Sequence, residues 1–109
     1  MADFHTSSGK QTTLMNALEV PPAGNVARSV RFSNVPRIIT VYAKGSSTDV
    51  TWTVYAVTPV GDITLGTIAA STAGTRASYS ADAVSEIKVR AENAGAGEET
   101  SDVVVASQA

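Results

Sequence analysis

His5 is the sole imidazole of a chain that has no cysteine, so any chemistry must be assembled from few parts. A general base needs a nucleophile or a water within hydrogen-bond reach, and a histidine metal site needs companion ligands. Only Asp3 stands near His5, in a polar segment, and the histidine reads as an exposed residue. Ser8-Gly9-Lys10-Gln11-Thr12 has the outline of the end of a phosphate-binding loop. That motif needs an earlier glycine, where Phe4 stands, and Ser or Thr directly after the lysine, where Gln11 stands. It also needs a strand before and a helix after to aim backbone amides at phosphate. Nothing in the pattern supplies them.

Glu98, Glu99 and Asp102 form an acidic cluster that could join other loop oxygens around calcium. Calcium takes about six to eight oxygens from tightly patterned loops. Gly95-Ala96-Gly97 followed by Glu98-Glu99 does not match an EF-hand loop, and the stretch reads as a solvated hairpin tip. The scattered acids do not mark out the carboxylate pair of glycoside hydrolysis either. Trp52, Tyr42, Tyr55 and Tyr79 are the rings that could stack sugars. Trp52 shares phase with Val50 and Val54, which assigns it to a core. Tyr42 and Tyr55 take the opposite phase, facing solvent or a neighbouring subunit. With no nucleophile–base pair and no ligand set, the sequence predicts no enzymatic activity, no cofactor and no tightly bound metal.

The elements that would carry these residues are strands. Val, Ile and Thr total 32 residues against 5 for Leu and Met, and β-branched side chains suit a pleated surface. Residues 26–32, 37–44 and 49–58 alternate in turn. In the last, Val50, Trp52, Val54 and Ala56 face one way. Pro59-Val60-Gly61-Asp62 turns the chain, and Gly66 weakens the strand over 63–70 or marks a bulge. Residues 75–80 read as a short edge strand. Over 84–93, Ile87, Val89 and Ala91 point inward and Glu86, Lys88, Arg90 and Glu92 outward. Residues 101–107 close the domain on Val103 and Val105. Seven or eight short strands with turns every ~8–12 residues predict an all-β fold, an antiparallel β-sandwich of immunoglobulin-like or jelly-roll type.

The N-terminal end is less regular. Residues 1–12 are polar, with Phe4 as the apolar anchor, and read as an extended arm. Over 13–20, Leu14, Leu18 and Val20 share a strand face while Leu14, Met15 and Leu18 share a helix face. Pro21-Pro22 blocks a helix from continuing, which favours a short strand. The division expected is an N-terminal arm over 1–25 and a β-sandwich domain over 26–109. On that division a chain starting near Gly24 keeps its sheet and a cooperative melt.

At 109 residues with a formal net charge of −2, the chain fits one domain, large enough to bury roughly 65% of its unfolded surface. That charge gives no footprint for nucleic acid. The balance is uneven, net +3 over residues 1–44 and net −5 over 45–109, which could steer association between copies or with a charged partner. No signal peptide and no run of the ~18–20 apolar residues of a membrane span are visible.

Residues 52–57 (Trp-Thr-Val-Tyr-Ala-Val), 62–66, 79–84, 86–93 (Glu-Ile-Lys-Val-Arg-Ala-Glu-Asn) and 103–107 together resemble the small β-sandwich modules of tailed-phage virion proteins. Capsid decoration proteins and tail accessory domains are among them. The resemblance covers about residues 37–107 and has no active-site residues to carry over. It implies a virion structural protein, a capsid decoration or cement protein. Its expected partners are a major capsid or tail protein and copies of itself, with assembly in the host cytoplasm. Expected contacts are Phe4, Leu14, Met15 and Leu18 as apolar anchors of the arm, Arg28 and Arg31 as polar contacts, and Tyr42 and Tyr55. The alternative is a carbohydrate- or receptor-binding accessory module of a tail or surface protein, which predicts Tyr42 and Tyr55 exposed together on one face.

Overall fold

Alternation of apolar and polar residues becomes nine β-strands, with no helix among the described residues. The computed structural model describes residues 4–6, 11–32, 36–81 and 84–108, and of residues 4–6 and 108 the backbone alone. The strands are β1 (Phe4–Thr6), β2 (Gln11–Val20), β3 (Asn25–Phe32), β4 (Ile38–Gly45), β5 (Val50–Thr58), β6 (Gly61–Ile68), β7 (Thr75–Ser80), β8 (Glu86–Asn93) and β9 (Glu99–Gln108).

Two sheets face each other, ordered β1-β3-β8-β5-β6 and β2-β9-β4-β7. Strand β2 pairs with β9, β3 with β8, β4 with β7 and β5 with β6, all antiparallel. The chain is thus one long hairpin of four strand pairs rolled up on itself. Pairing of β4 with β9 and of β5 with β8 closes the two sheets. This is jelly-roll winding, which resolves the two topologies that the local pattern left open. Strand β1 adds a parallel edge beside β3.

The inner faces carry the expected residues: Ile39, Val41 and Ala43 from β4; Val50, Trp52, Val54 and Ala56 from β5; Ile87, Val89 and Ala91 from β8; Val103 and Val105 from β9. Trp52 is fully buried, and its indole N–H therefore needs an acceptor inside the protein. Nε1 donates to Ser101 Oγ on the opposite sheet at 2.9 Å, and Ser101 Oγ donates to Met15 Sδ at 3.2 Å. The bulge foreseen at Gly66 is present: Val54 pairs with Gly66 and Tyr55 with Thr64, leaving Leu65 as the extra residue. A Cβ on Gly66 would come within 2.8 Å of Tyr79 Cε1, so the Tyr79 ring lies directly over this backbone. Burial pushes the Tyr79 phenol above its ordinary value. Its ring closes the core between β6 and β7 and is no sugar platform.

The sequence-based expectations need correction over residues 11–20. They form β2 in the four-stranded sheet and are not part of an arm. Leu14, Met15 and Val20 are buried core residues and Leu18 packs against that core, so none of the three expected anchors is free for a partner. Irregular pairing explains the ambiguous pattern. The register with β9 shifts between Thr13 and Met15 and again between Met15 and Leu18, and Ala17 takes a φ of 50°. Bulges let the neighbours Leu14 and Met15 both reach the core, an arrangement that neither a plain strand nor a helix offers. The Phe4 and His5 side chains and residues 7–10 lie outside the described residues. Glu86, expected outward, is 7% exposed because Arg31 Nη2 donates to its Oε1 at 3.0 Å.

Two measurements check this account. Ser101→Ala strands a buried indole N–H and should cost about 1–3 kcal/mol in urea unfolding. Trp52→Phe in that background removes the orphaned donor, and its further cost should be smaller than in the wild type. A chain starting at Gly24 loses Leu14, Met15 and Val20 together. Each such loss is worth about 2–5 kcal/mol against a total stability of about 5–15 kcal/mol. Its circular dichroism should show no cooperative melt.

Candidate functional site

The two outer faces of the sandwich differ in chemistry. On the five-stranded sheet, Ser29, Lys88, Tyr55 and Thr64 stand in one row and Ala27, Arg90 and Thr53 in the next. Lys88 Nζ lies 5.1 Å and Arg90 Cζ 5.4 Å from the centre of the Tyr55 ring, in the range of cation–π attraction. The same cations are ion-paired: Lys88 with Asp62, and Arg90 Nη2 with Glu92 Oε1 at 2.8 Å. Arg31 holds Glu86. Arg28 is not on this face: opposite Val89 and in phase with Val30, it is half-buried on the inner side, its Nη1 donating to the carbonyl of Ala27 at 2.9 Å. This face spends its charges on itself.

The outer face of the four-stranded sheet is sparsely charged. Register places Tyr42 of β4 opposite Val104 of β9 and Arg76 of β7, and Lys44 opposite Asp102. Further along, Thr40 stands between Ala106 and Ser78, and the Thr40 and Ser78 hydroxyls lie 2.8 Å apart. Tyr42 is 37% exposed and Ile38 45%. A groove of about 210 Å³ opens here, lined by Tyr42, Ala43, Lys44, Gly74, Thr75, Asp102 and Val104. Gly74, at a φ of 103°, turns the chain into β7 and forms one wall. A backbone angle in that range favours glycine. Asp102 Oδ1 accepts the backbone N–H of Ala17 at 2.8 Å, which fixes the carboxylate at the rim and leaves its second oxygen for a ligand.

A larger hollow of about 390 Å³ lies at the rim of the other sheet, between Ala23, Gly24, Asn25, Thr51, Glu92, Asn93 and Ala94. Its main polar groups are committed. Asn93 Nδ2 donates to Val20 O and Gly97 O, Asn93 Oδ1 accepts from Gly95 N, and Glu92 holds Arg90. Asn25 and Thr51 are not among those committed groups, but the hollow is lined by no aromatic ring, and the Tyr42 groove is the better candidate.

The acidic residues near the C-terminal end are drawn into separate contacts: Ser46 Oγ donates to Glu99 Oε1 at 2.7 Å, and Asp102 serves Ala17. Among the described residues, no group of three or more His, Cys, Asp and Glu is placed to hold a metal ion. Tyr42 and Tyr55 do not share a face as a two-ring platform requires. They point from opposite sheets to opposite sides of the sandwich. Asp102 was visible in sequence only as one of an acidic run, and Lys44, Arg76 and Val104 carried no signal. Their link to Tyr42 is a matter of strand register, which local alternation does not contain.

No family model and no curated protein matches the chain. Solved structures do. A part of tripeptidyl peptidase 2 is similar over 95% of this chain at 7% identity and a TM-score of 0.64, and the chain spans 10% of that protein. The Yersinia pseudotuberculosis-derived mitogen is similar over 93% of this chain and 87% of its own, at 15% identity and a TM-score of 0.62. A looser likeness, at a TM-score of 0.49 and 14% identity, joins 89% of each chain to the N-terminal cellulose-binding domain of Cellulomonas fimi β-1,4-glucanase C. At these identities the first two likenesses show the fold alone. The expected place in a virus particle gains no support from these three structures.

Asp102 should matter to stability despite its surface position. Asp102→Ala removes the charged acceptor of the Ala17 N–H and is expected to cost about 1 kcal/mol in chemical unfolding. Glu98→Ala, at an exposed tip, should stay within about 0.5 kcal/mol of the wild type.

Proposed function

We propose that this chain is a non-catalytic carbohydrate-binding module that holds sugar on the outer face of its four-stranded sheet, at Tyr42. The observation that carries the reading is an exposed tyrosine ring in an apolar groove, with a lysine and a carboxylate facing each other in the adjoining row. A sugar ring offers an apolar C–H face and a rim of hydroxyls. The first packs on an aromatic ring, and the second donates to a carboxylate and accepts from an ammonium group. Tyr42 and Val104 line the apolar groove, and Lys44 and Asp102 bring polar groups to its rim from the adjoining row. Drug-sized pockets run to about 300–1,000 Å³, so a groove of about 210 Å³ suits one ring of a longer chain lying along the strands. The reading is non-catalytic because the groove is lined by a single carboxylate, Asp102, whereas glycoside hydrolysis ordinarily needs a pair.

Affinity electrophoresis against a panel of soluble polysaccharides, followed by calorimetry on any that retard the protein, tests this. Tyr42→Ala should weaken binding at least about tenfold, the loss of a central aromatic contact, with an unchanged melting temperature. Tyr55→Ala, on the opposite side, should bind as the wild type does. Failure of every polysaccharide to retard the wild type would remove the reading, as would full binding by Tyr42→Ala.

A further inference from the structure

We infer that the sugar taken by the Tyr42 groove is acidic, a polysaccharide of uronic acid residues. This rests on the carbohydrate reading above and narrows it. The argument comes from the cations. On the five-stranded face Arg31, Lys88 and Arg90 each have a carboxylate partner. Beside Tyr42, neither Lys44 nor Arg76 has an ion pair with any described residue. Lys44 stands opposite Asp102 in the register without closing a salt bridge, and Arg76 stands opposite Tyr42 itself. A chain of net charge −2 thus keeps, at the edges of one exposed ring, two cations that no described carboxylate neutralises.

An arginine guanidinium presents a planar fork that matches a carboxylate in a two-bond fit, and lysine adds a point charge. Lys44 and Arg76 against Asp102 leave this site one positive charge in excess, which complements one carboxylate per sugar ring. A chain with several sulfates per ring would bring more negative charge than the site balances and would crowd Asp102. The ring would lie on Tyr42 with its carboxylate toward Arg76 and Lys44. Its hydroxyls would reach the Asp102 oxygen that Ala17 leaves free.

Calorimetry with the full chain would compare polygalacturonate, its fully methyl-esterified form, dextran sulfate and polyglutamate at low and at 0.5 M salt. Polygalacturonate is expected to bind about tenfold or more tighter than the neutral ester, a difference that salt erodes. Arg76→Gln and Lys44→Gln, both at exposed positions, should each remove most of that preference without changing the melting temperature. Tyr42→Ala should weaken both the acid and the ester. Equal affinity for acid and ester would overturn this inference and leave the carbohydrate reading standing. No binding to any sugar polymer, in this set or in the wider panel, would remove both. Tighter binding of dextran sulfate with the same dependence on Arg76 would overturn the choice of a carboxylate. Binding of polyglutamate as tight as polygalacturonate and indifferent to Tyr42→Ala would assign the surface to acidic polymers in general, and the inference would fall.

Discussion

An indole ring buried between two sheets brings a donor that water can no longer satisfy, and the rest of the sandwich is arranged around that demand. Trp52 projects from β5, while the Ser101 oxygen that accepts its N–H belongs to β9 of the other sheet, and the Ser101 hydroxyl in turn donates a hydrogen bond to the Met15 sulfur of β2. A hydrogen bond tolerates only a few tenths of an ångström and a limited angle. Sheet separation and the slide of one sheet over the other are thereby fixed more tightly than apolar contact alone would fix them. Hydrophobic burial supplies most of the driving force but is non-directional. The polar chain supplies direction. It also draws β2 into the core, since the last group in the series is the side chain of Met15.

The two outer faces use the same elements to opposite ends. Cations on the five-stranded face are neutralised by nearby carboxylates, Lys88 by Asp62 of β6 and Arg90 by Glu92 of its own strand, and held against Tyr55. Desolvating such a face costs more than a new contact readily returns. The four-stranded face carries hydroxyls, apolar groups and one open ring, and its Lys44 and Arg76 have no ion pair with any described residue. A ligand there meets an open aromatic ring and cations that no described carboxylate neutralises. This is why the smaller groove is the stronger candidate and the larger hollow the weaker.

Much of this was legible in the sequence. Alternation placed Trp52 inward and Tyr42 outward, fixed the inner faces of β4, β5, β8 and β9, and marked the bulge at Gly66. What was hidden has common causes. Period-two patterning says whether a residue points in or out of its own sheet, but not which sheet a strand joins. Tyr42 and Tyr55 are both outward, yet the jelly-roll winding sends β4 and β5 to different layers and parts the two rings by the thickness of the sandwich. In β2 the bulges break the period itself, so Leu14 and Met15 looked like a loose arm when both are core. Glu86 read as outward because its position in a charged alternating strand gave no hint that Arg31 would cover it.

Asp102 joins these two levels. The second register shift of β2, between Met15 and Leu18, leaves Ala17 in a left-handed conformation with its N–H turned to Asp102. A non-glycine residue held there carries a cost of about 1–3 kcal/mol and persists only when its surroundings fix it. Asp102 fixes it from the neighbouring strand and takes up the displaced donor. A carboxylate at that position serves the fold of β2, independently of any ligand. Its side chain is immobilised by the same bond, so it stands at the rim of the Tyr42 groove already oriented, with one oxygen spent and one free. Binding then need not order it, which removes part of the entropic cost that weakens shallow surface sites. The irregularity in β2 that hid the strand from the sequence pattern is what sets one wall of the groove in place.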